Sequence, residues 1–339
     1  MVTIKDVARE AKVSIATVSY VINKTHKLSD ETVEKVNEAI KKLNYYPSKA
    51  ARSLVKRTTQ VLGVLVSDIS NPFFAPIVRG IEDAASEKGY IVMVGNSDED
   101  WAKAKKYIDT LAQHRVDGLI ISPTSNFEIL ENGLNNLGIP IVLINRRTQM
   151  NYDIVESDNE YGAILAVSHL LSFGHKKIGL IIGPTAVSTF KDRLAGYIKA
   201  ISDAGYNVEE KYIRVSDQSH ESSYKAMIDL LSMNDKPTAV FIGSGKLGGG
   251  ALHAINEMKV KIPDDLSLVC FDETEWAPIV NPPLTTIAQK TYDMGREAAN
   301  LLLDHLFNKE RSKGGCTTLQ QIKLKPELIE RQSAKLLIK

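Results

Sequence analysis

Two cysteines in 339 residues, Cys270 and Cys316, leave little material for disulfide chemistry. Neither has a Cys or His neighbour at the spacing that a zinc site or a redox pair requires, so no metal and no cofactor are expected and both read as reduced thiols. Long apolar runs are missing too: none approaches the roughly 20 residues of a membrane-spanning helix. The start, Met1 to Ala11, is amphipathic and lacks the charged head and apolar stretch of an export signal, so the expectation is a cytoplasmic protein with no membrane partner. Net charge is also nearly absent, at +1 with 24% charged and 43% apolar residues. That profile belongs to an ordinary globular chain long enough for two or three domains.

The small net charge conceals an asymmetry. Residues 1 to 60 hold twelve Lys and Arg against six acids, a local charge of +6, while the remaining 279 residues carry thirty basic and thirty-five acidic groups, or −5. A polyanion such as DNA is the natural partner of so confined a basic segment, although a merely solvated basic face would show the same count.

Within that segment, Thr3 and Asp6 have the spacing of a helix capping box, and Ile4, Val7, Ala8 and Ala11 share one helical face. Lys12-Val13-Ser14 interrupts the pattern; Ser14 can cap a second helix striped by Val18, Val21 and Ile22. Ser29 caps a third, with Asp30 and Glu31 in its first turn and Val33, Val36, Ile40 and Leu43 facing inward. Two short helices joined by a tight turn and backed by a third form a helix-turn-helix, whose second helix enters the major groove. Ile15, Ala16 and Tyr20 are then placed for base edges, and Ser14, Thr17, Ser19 and Asn23 for phosphate oxygens, with Thr3 and Lys27 completing the DNA-binding set. A three-helix bundle with no DNA role is the competing reading.

The run Thr3-Ile4-Lys5-Asp6-Val7-Ala8, then Val13-Ser14, Thr17-Val18-Ser19 and Asn23, resembles the headpiece of the lactose-repressor (LacI/GalR) family. The likeness continues through Asn44-Tyr45-Tyr46-Pro47 into Ala51-Arg52-Ser53-Leu54. That resemblance implies a hinge over 46–59 in which Ser48, Ala51 and Arg52 approach DNA and Leu54 enters the minor groove. An apolar wedge of this kind unstacks a base step and bends the duplex. A symmetric dimer would bring two such wedges to the centre of a near-palindromic operator. Tyr20 stands where many relatives place an arginine and Ser48 where asparagine is commoner, so the operator sequence is left open.

From Val61 onward short apolar runs alternate with amphipathic helical stretches, which predicts repeated strand-helix-strand units in parallel sheets, more readily two sheets than one. Ligands of such folds collect beyond the C-terminal strand ends. The family resemblance extends here through Asp68-Ile69-Ser70-Asn71-Pro72-Phe73-Phe74, Asp158-Asn159-Glu160 with Gly162, Gly174-His175 and Pro283-Leu284-Thr285-Thr286-Ile287. It implies a two-lobed, periplasmic-binding-protein-like core over 60–339, with one lobe near 60–160 plus 290–320 and the other near 161–289 plus 321–332. The expected fold is therefore α/β: a headpiece over 1–45, a hinge, and a core of parallel sheets flanked by helices. Asp68, Phe73, Phe74, Ser122 and Asn145 of the first lobe and Arg193, Gln218, Ser244 and Asp272 of the second are candidate effector ligands, each with a capping or structural role as the alternative. Arg193, Asp272 and Asn145 suit vicinal hydroxyls, and Phe73 an apolar sugar face. Gln218 falls where relatives often carry a stacking aromatic, and Gly245 where aspartate is frequent.

The function these readings converge on is an effector-responsive transcription repressor, a homodimer on operator DNA that senses a sugar or related metabolite and has no catalytic residues. Two rivals remain. Gly243-Ser244-Gly245-Lys246-Leu247-Gly248 fits the G-x-G-x-x-G of a dinucleotide-dependent oxidoreductase. A sugar-binding protein without regulatory role is the other, opposed by the headpiece.

Overall fold

The computed structural model describes residues 2–23, 25–45, 58–125, 133–134, 136–149, 151–307 and 319–337. It divides into two compact units, 1–59 and 60–339. The first contains helices α1 (Ile4–Glu10), α2 (Ile15–Asn23) and α3 (Asp30–Lys42). Each begins at a polar side chain that meets its unpaired N-terminal groups. The Asp6 carboxylate accepts from the Thr3 N–H at 3.0 Å and hydroxyl at 2.7 Å, while Ser14 and Ser29 accept from the N–H of Thr17 and Thr32. Val7, Ala8, Ala11, Val18, Val36 and Ala39 bury a small core, against which Val21, Ile22, Ile40 and Leu43 pack; Val33 stays half-buried outside it. The expected hinge at 46–59 lies outside the described residues, apart from Thr58 and Thr59.

The second unit is built on two six-stranded sheets. The first runs β11-β5-β4-β3-β1-β2, from β1 (Val61–Val66), β2 (Ile91–Asn96), β3 (Gly118–Ile121), β4 (Ile141–Ile144), β5 (Asp153–Ser157) and β11 (Gln321–Leu324), all parallel. The second runs β12-β10-β9-β8-β6-β7, from β6 (Ile178–Ile182), β7 (Ile213–Val215), β8 (Ala239–Ile242), β9 (Ser267–Phe271), β10 (Thr285–Ala288) and β12 (Glu327–Ile329).

Successive side chains of each strand serve opposite faces, which is why the central strands read as unbroken apolar runs. Leu62, Val64 and Val66 pack beneath α4 (Phe74–Glu87) and α10 (Thr291–Phe307), whereas Val61 and Leu65 pack beneath α5 (Trp101–Gln113). In the second sheet Leu180 and Ile182 lie under α6 (Asn159–Ser172) and α7 (Ser188–Asp203), and Ile181 lies under α8 (His220–Leu231) and α9 (Gly245–Glu257). The chain passes between the sheets three times, after β5, after β10 and after β11.

Two expectations need correction. The expected boundary places residues 321–324 in the second lobe, yet β11 pairs with β5 in the first sheet. The passage to the second lobe falls at Lys325 and Pro326 instead. The second sheet is also not wholly parallel: β12 runs antiparallel to β10, because the two residues between β11 and β12 leave no room for a helical crossover.

Helices α4 and α10 share apolar side-chain packing and also come close enough for backbone contact at two glycines. A Cβ at Gly80 would stand 2.2 Å from the Tyr292 carbonyl oxygen, and one at Gly295 would stand 2.0 Å from that of Ile77. Gly295→Val should therefore push the helices apart and lower unfolding free energy by about 1–3 kcal/mol, read by urea denaturation followed by far-UV circular dichroism.

Candidate nucleic-acid interface and effector cleft

At the start of α2, Ser14, Ile15 and Ala16 are exposed, Ile15 at 45% despite its apolar side chain. An unburied isoleucine beside a helix N-terminus is arranged for contact, not for the headpiece core. Thr17, Ser19, Tyr20 and Asn23 are half-buried. The Thr17 hydroxyl lies 2.8 Å from that of Ser14, and Asn23 Nδ2 donates to the Ser19 carbonyl at 2.9 Å. Tyr20 stacks on His26, ring centroids 4.0 Å apart, which fixes the ring at the far end of the same helix; His26 carries no sequence signal that would have marked it. Lys27 is exposed. The Thr3 hydroxyl is engaged with Asp6, so its part is capping. Ser48, Ala51, Arg52 and Leu54 lie outside the described residues.

In the second unit, unmet hydrogen-bonding capacity gathers at one place. Among the described residues nine buried side-chain polar atoms lack a partner, and eight belong to residues at or just past C-terminal strand ends: Ser67, Ser122, Thr124, Arg146, Ser157, Ser244, Thr274 and Gln289. The ninth is on His169. Buried polar atoms are nearly always paired, so this concentration marks where a polar ligand or water belongs.

Arg193, on α7, is the central cation. It is 3% exposed, with Nε donating to Asn159 Oδ1 at 2.9 Å and Nη1 to the Gly243 carbonyl at 2.6 Å. Its guanidinium lies 3.6 Å from the centroid of the Phe271 ring. Burial pushes its pKa down to about 10, opposed by the nearby Asp272 carboxylate, so it stays charged at neutral pH. Asp272 accepts from the Gly245 N–H at 2.9 Å and from Gln289 Nε2 at 2.5 Å. Asn145, Gln218 and Asp272 adopt φ of 69°, 72° and 78°. That region is costly for residues with a Cβ and clusters at binding sites. Ser122 and Ser244 are buried beside the same strand ends, each with its hydroxyl unpaired.

A cavity of about 190 Å³ opens at Asp272, walled by Asn71 and Phe73 from the first lobe and by Lys246, Asp272, Thr274 and Gln289, while Arg193, Asn145, Gln218, Ser122 and Ser244 do not line it. Phe74 does not join Phe73 there. It is 3% exposed within the first-lobe core, because adjacent residues at a helix start point about 100° apart, and it meets Phe73 edge-on at 5.2 Å. Its assignment as an effector ligand is corrected to a core role. Asp68 is likewise engaged, by Lys246 Nζ at 2.6 Å.

Comparison with known proteins now bears on these two regions. Residues 3–48 match the lacI family of bacterial regulatory proteins, and residues 167–334 match a periplasmic binding protein-like domain. The HTH-type transcriptional repressor PurR of Haemophilus influenzae (strain PittEE) is 36% identical over 339 residues, covering 99% of each chain. The chain belongs to the LacI family. Among solved structures, the Lac repressor dimer bound to operator and the anti-inducer ONPF superimposes with a TM-score of 0.86 at 29% identity, covering 98% of this chain and 99% of that one. The transcriptional regulator CelR in complex with cellobiose gives 0.74 at 30% identity, covering 98% and 100%.

This LacI-family repressor is thus a DNA-binding regulator with an effector-binding core, and not an enzyme. Its G-x-G-x-x-G segment has a structural explanation. The Gly245 N–H at the α9 N-terminus, which would face a pyrophosphate in a dinucleotide site, is taken by the Asp272 carboxylate, and a Cβ at Gly245 would stand 2.7 Å from Thr274 Cγ2. No helix among the described residues is long and apolar enough to cross a membrane.

Arg147 escaped sequence reasoning. Its Nη1 donates to both Glu156 oxygens at 2.8 and 2.7 Å, its Nη2 to both Asp192 oxygens at 2.8 and 2.7 Å, and its backbone N–H to Ser188 Oγ at 2.8 Å. Glu156 sits in the first lobe and Asp192 and Ser188 in the second, so Arg147 joins the lobes. Only the doubling of arginine at 146 and 147 after a strand could have hinted at it. Arg147→Ala leaves the fully buried Glu156 without its cation, and a loss of roughly 3 kcal/mol is expected. Urea denaturation of the original protein and the variant at pH 7 checks this.

Proposed function

We propose that the chain represses transcription as a homodimer on a near-palindromic operator and releases or tightens its grip when a neutral, hydroxyl-rich metabolite, a sugar or a close relative, closes the cleft. The observation that carries the effector reading is the set of eight buried, unpaired polar atoms at or just past the C-terminal strand ends, where Asp272 follows β9 and Arg193 bonds to Gly243 after β8. Vicinal hydroxyls donate to a carboxylate and accept from a guanidinium in one plane, and unpaired serine and threonine hydroxyls at strand ends complete such a shell. Gln218, where a stacking ring would favour a flat ligand, offers an amide. Similar proteins carry cellobiose and ONPF.

Dimerisation is supported by the first lobe. Ile91 and Met93 on one face of the edge strand β2 and Val94 on the other stand exposed, apolar surface at a sheet edge that a second copy would cover. With the first lobes paired, effector closure shifts them against each other and alters the geometry handed to the hinges and headpieces, which act where the chromosome is, in the cytoplasm.

Two experiments test this. A thermal-shift screen of neutral sugars should find one that raises the melting point, and Arg193→Met or Asp272→Asn should lower its affinity at least tenfold while leaving effector-free operator binding intact. Absence of any shift across pentoses, hexoses and disaccharides would overturn the sugar assignment. On the DNA side, operator affinity should fall steeply with salt, and Leu54→Ala should weaken it and reduce bending, measured by fluorescence anisotropy and gel phasing.

A further inference from the structure

We infer that Lys246 is a positioning residue that ties the second lobe to the first across the mouth of the cleft, and that Asp68 is its anchor rather than a ligand of the effector. Asp68 follows β1 in the first lobe, and Lys246 occupies the first turn of α9 in the second. They are 178 residues apart in sequence, yet Lys246 Nζ lies 2.6 Å from Asp68 Oδ2.

The anchor is prepared on its own lobe. Asp68 Oδ1 accepts from the Ser70 N–H at 3.0 Å and from the Ser70 hydroxyl at 2.5 Å, which turns Oδ2 toward the other lobe. Burial alone would raise this carboxyl, but the bonds from Lys246 and Ser70 outweigh it and hold it below the usual carboxylate range. With both oxygens engaged in this way, little is left for a ligand hydroxyl.

The remaining charges around the ammonium do not compete for it. Asp272 is already bonded to Gly245 and Gln289, Glu273 to Arg331, and Asp98, which lies close to Asp68, to Lys103. Glu275 lines the same cavity and is exposed.

A second tie, Arg147 to Asp192 and Ser188, leaves the first lobe after β4. In the order β4-β3-β1 the two ties emerge two strands apart, about 10 Å, with the end of β3 and Ser122 between them. They bracket the end of β3. Arg147 also carries the buried Glu156, so its loss is a stability lesion. The Lys246 and Asp68 side chains are 39% and 15% exposed, and either can rehydrate when the bond breaks. A pair of this kind biases an opening equilibrium by about two- to fivefold without locking it. Any ligand that prefers the closed lobes then has its apparent affinity set partly by Lys246, a residue it need not touch.

Hydrogen exchange on the full chain, without effector, tests the inference by reading each substitution in the opposite lobe. Lys246→Met should speed exchange of the amides of residues 69–71 and 73 about two- to fivefold, and Asp68→Asn should do the same for residues 245–247. The double variant should be no faster than either single one, and the exchanged pair Asp68→Lys with Lys246→Asp should return toward the original rates. Acceleration confined to the substituted lobe, additive effects in the double variant, or no recovery in the exchanged pair would each overturn it. Because no sugar is needed, a negative result here is distinct from a negative sugar screen.

Discussion

A parallel sheet gathers the C-terminal ends of its strands on one edge, and in this protein two such edges face each other. Everything about the cleft follows from that constraint. Each central strand is buried on both faces, so its last residues are the first that can be polar, and they arrive together: Ser67 and Asp68 after β1, Ser122 after β3, Asn145 and Arg146 after β4, Ser244 after β8, Asp272 after β9. Groups so placed must be satisfied by the opposing lobe, by the chain's own turns or by a guest. Arg193 is met within its own lobe, with Gly243 and Asn159 on two nitrogens and an aromatic ring beneath it, and has no bonded partner for Nη2 among the described residues.

Much of this was legible in the sequence because it depends on short-range chemistry. The Thr3–Asp6 box and the Ser14 and Ser29 caps announce three helices, and runs such as Val61–Val66 and Ile178–Ile182 announce buried strands. Once strands are located, residues just past them become candidates, which is how Asn145, Ser244 and Asp272 could be named. What failed depended on direction or on distance. Phe73 and Phe74 are equivalent in composition, and only the helix beginning between them decides that one faces the cleft and the other the core. The placement of 321–324 failed because a four-residue strand at a sheet edge has no pattern that names its sheet. Lys246 and Arg147 were invisible as ties, since pairing across 178 and 45 residues leaves no local trace. The glycine-rich segment from 243 to 248 misled for a related reason. Its spacing is that of a phosphate turn, but the partner of its free N–H is a carboxylate encoded 27 residues later.

The basic headpiece and the near-neutral core divide the work electrostatically. Phosphate attraction is confined to the first sixty residues, so ligand chemistry in the cleft can be tuned without disturbing it, and Lys246 is matched by Asp68 instead of adding to the DNA-facing charge.

The backbone contact between α4 and α10 has a consequence for synthesis. The first lobe takes its body from residues 61–157, but α10 and β11 come from residues 291–324. On the ribosome, the nascent lobe must wait with the groove beside Gly80 open and one sheet edge unpaired while most of the second lobe is made. The headpiece, local in all its contacts, needs no such delay. A chain interrupted near residue 280 would therefore carry a complete DNA-reading element attached to an unfinished receptor.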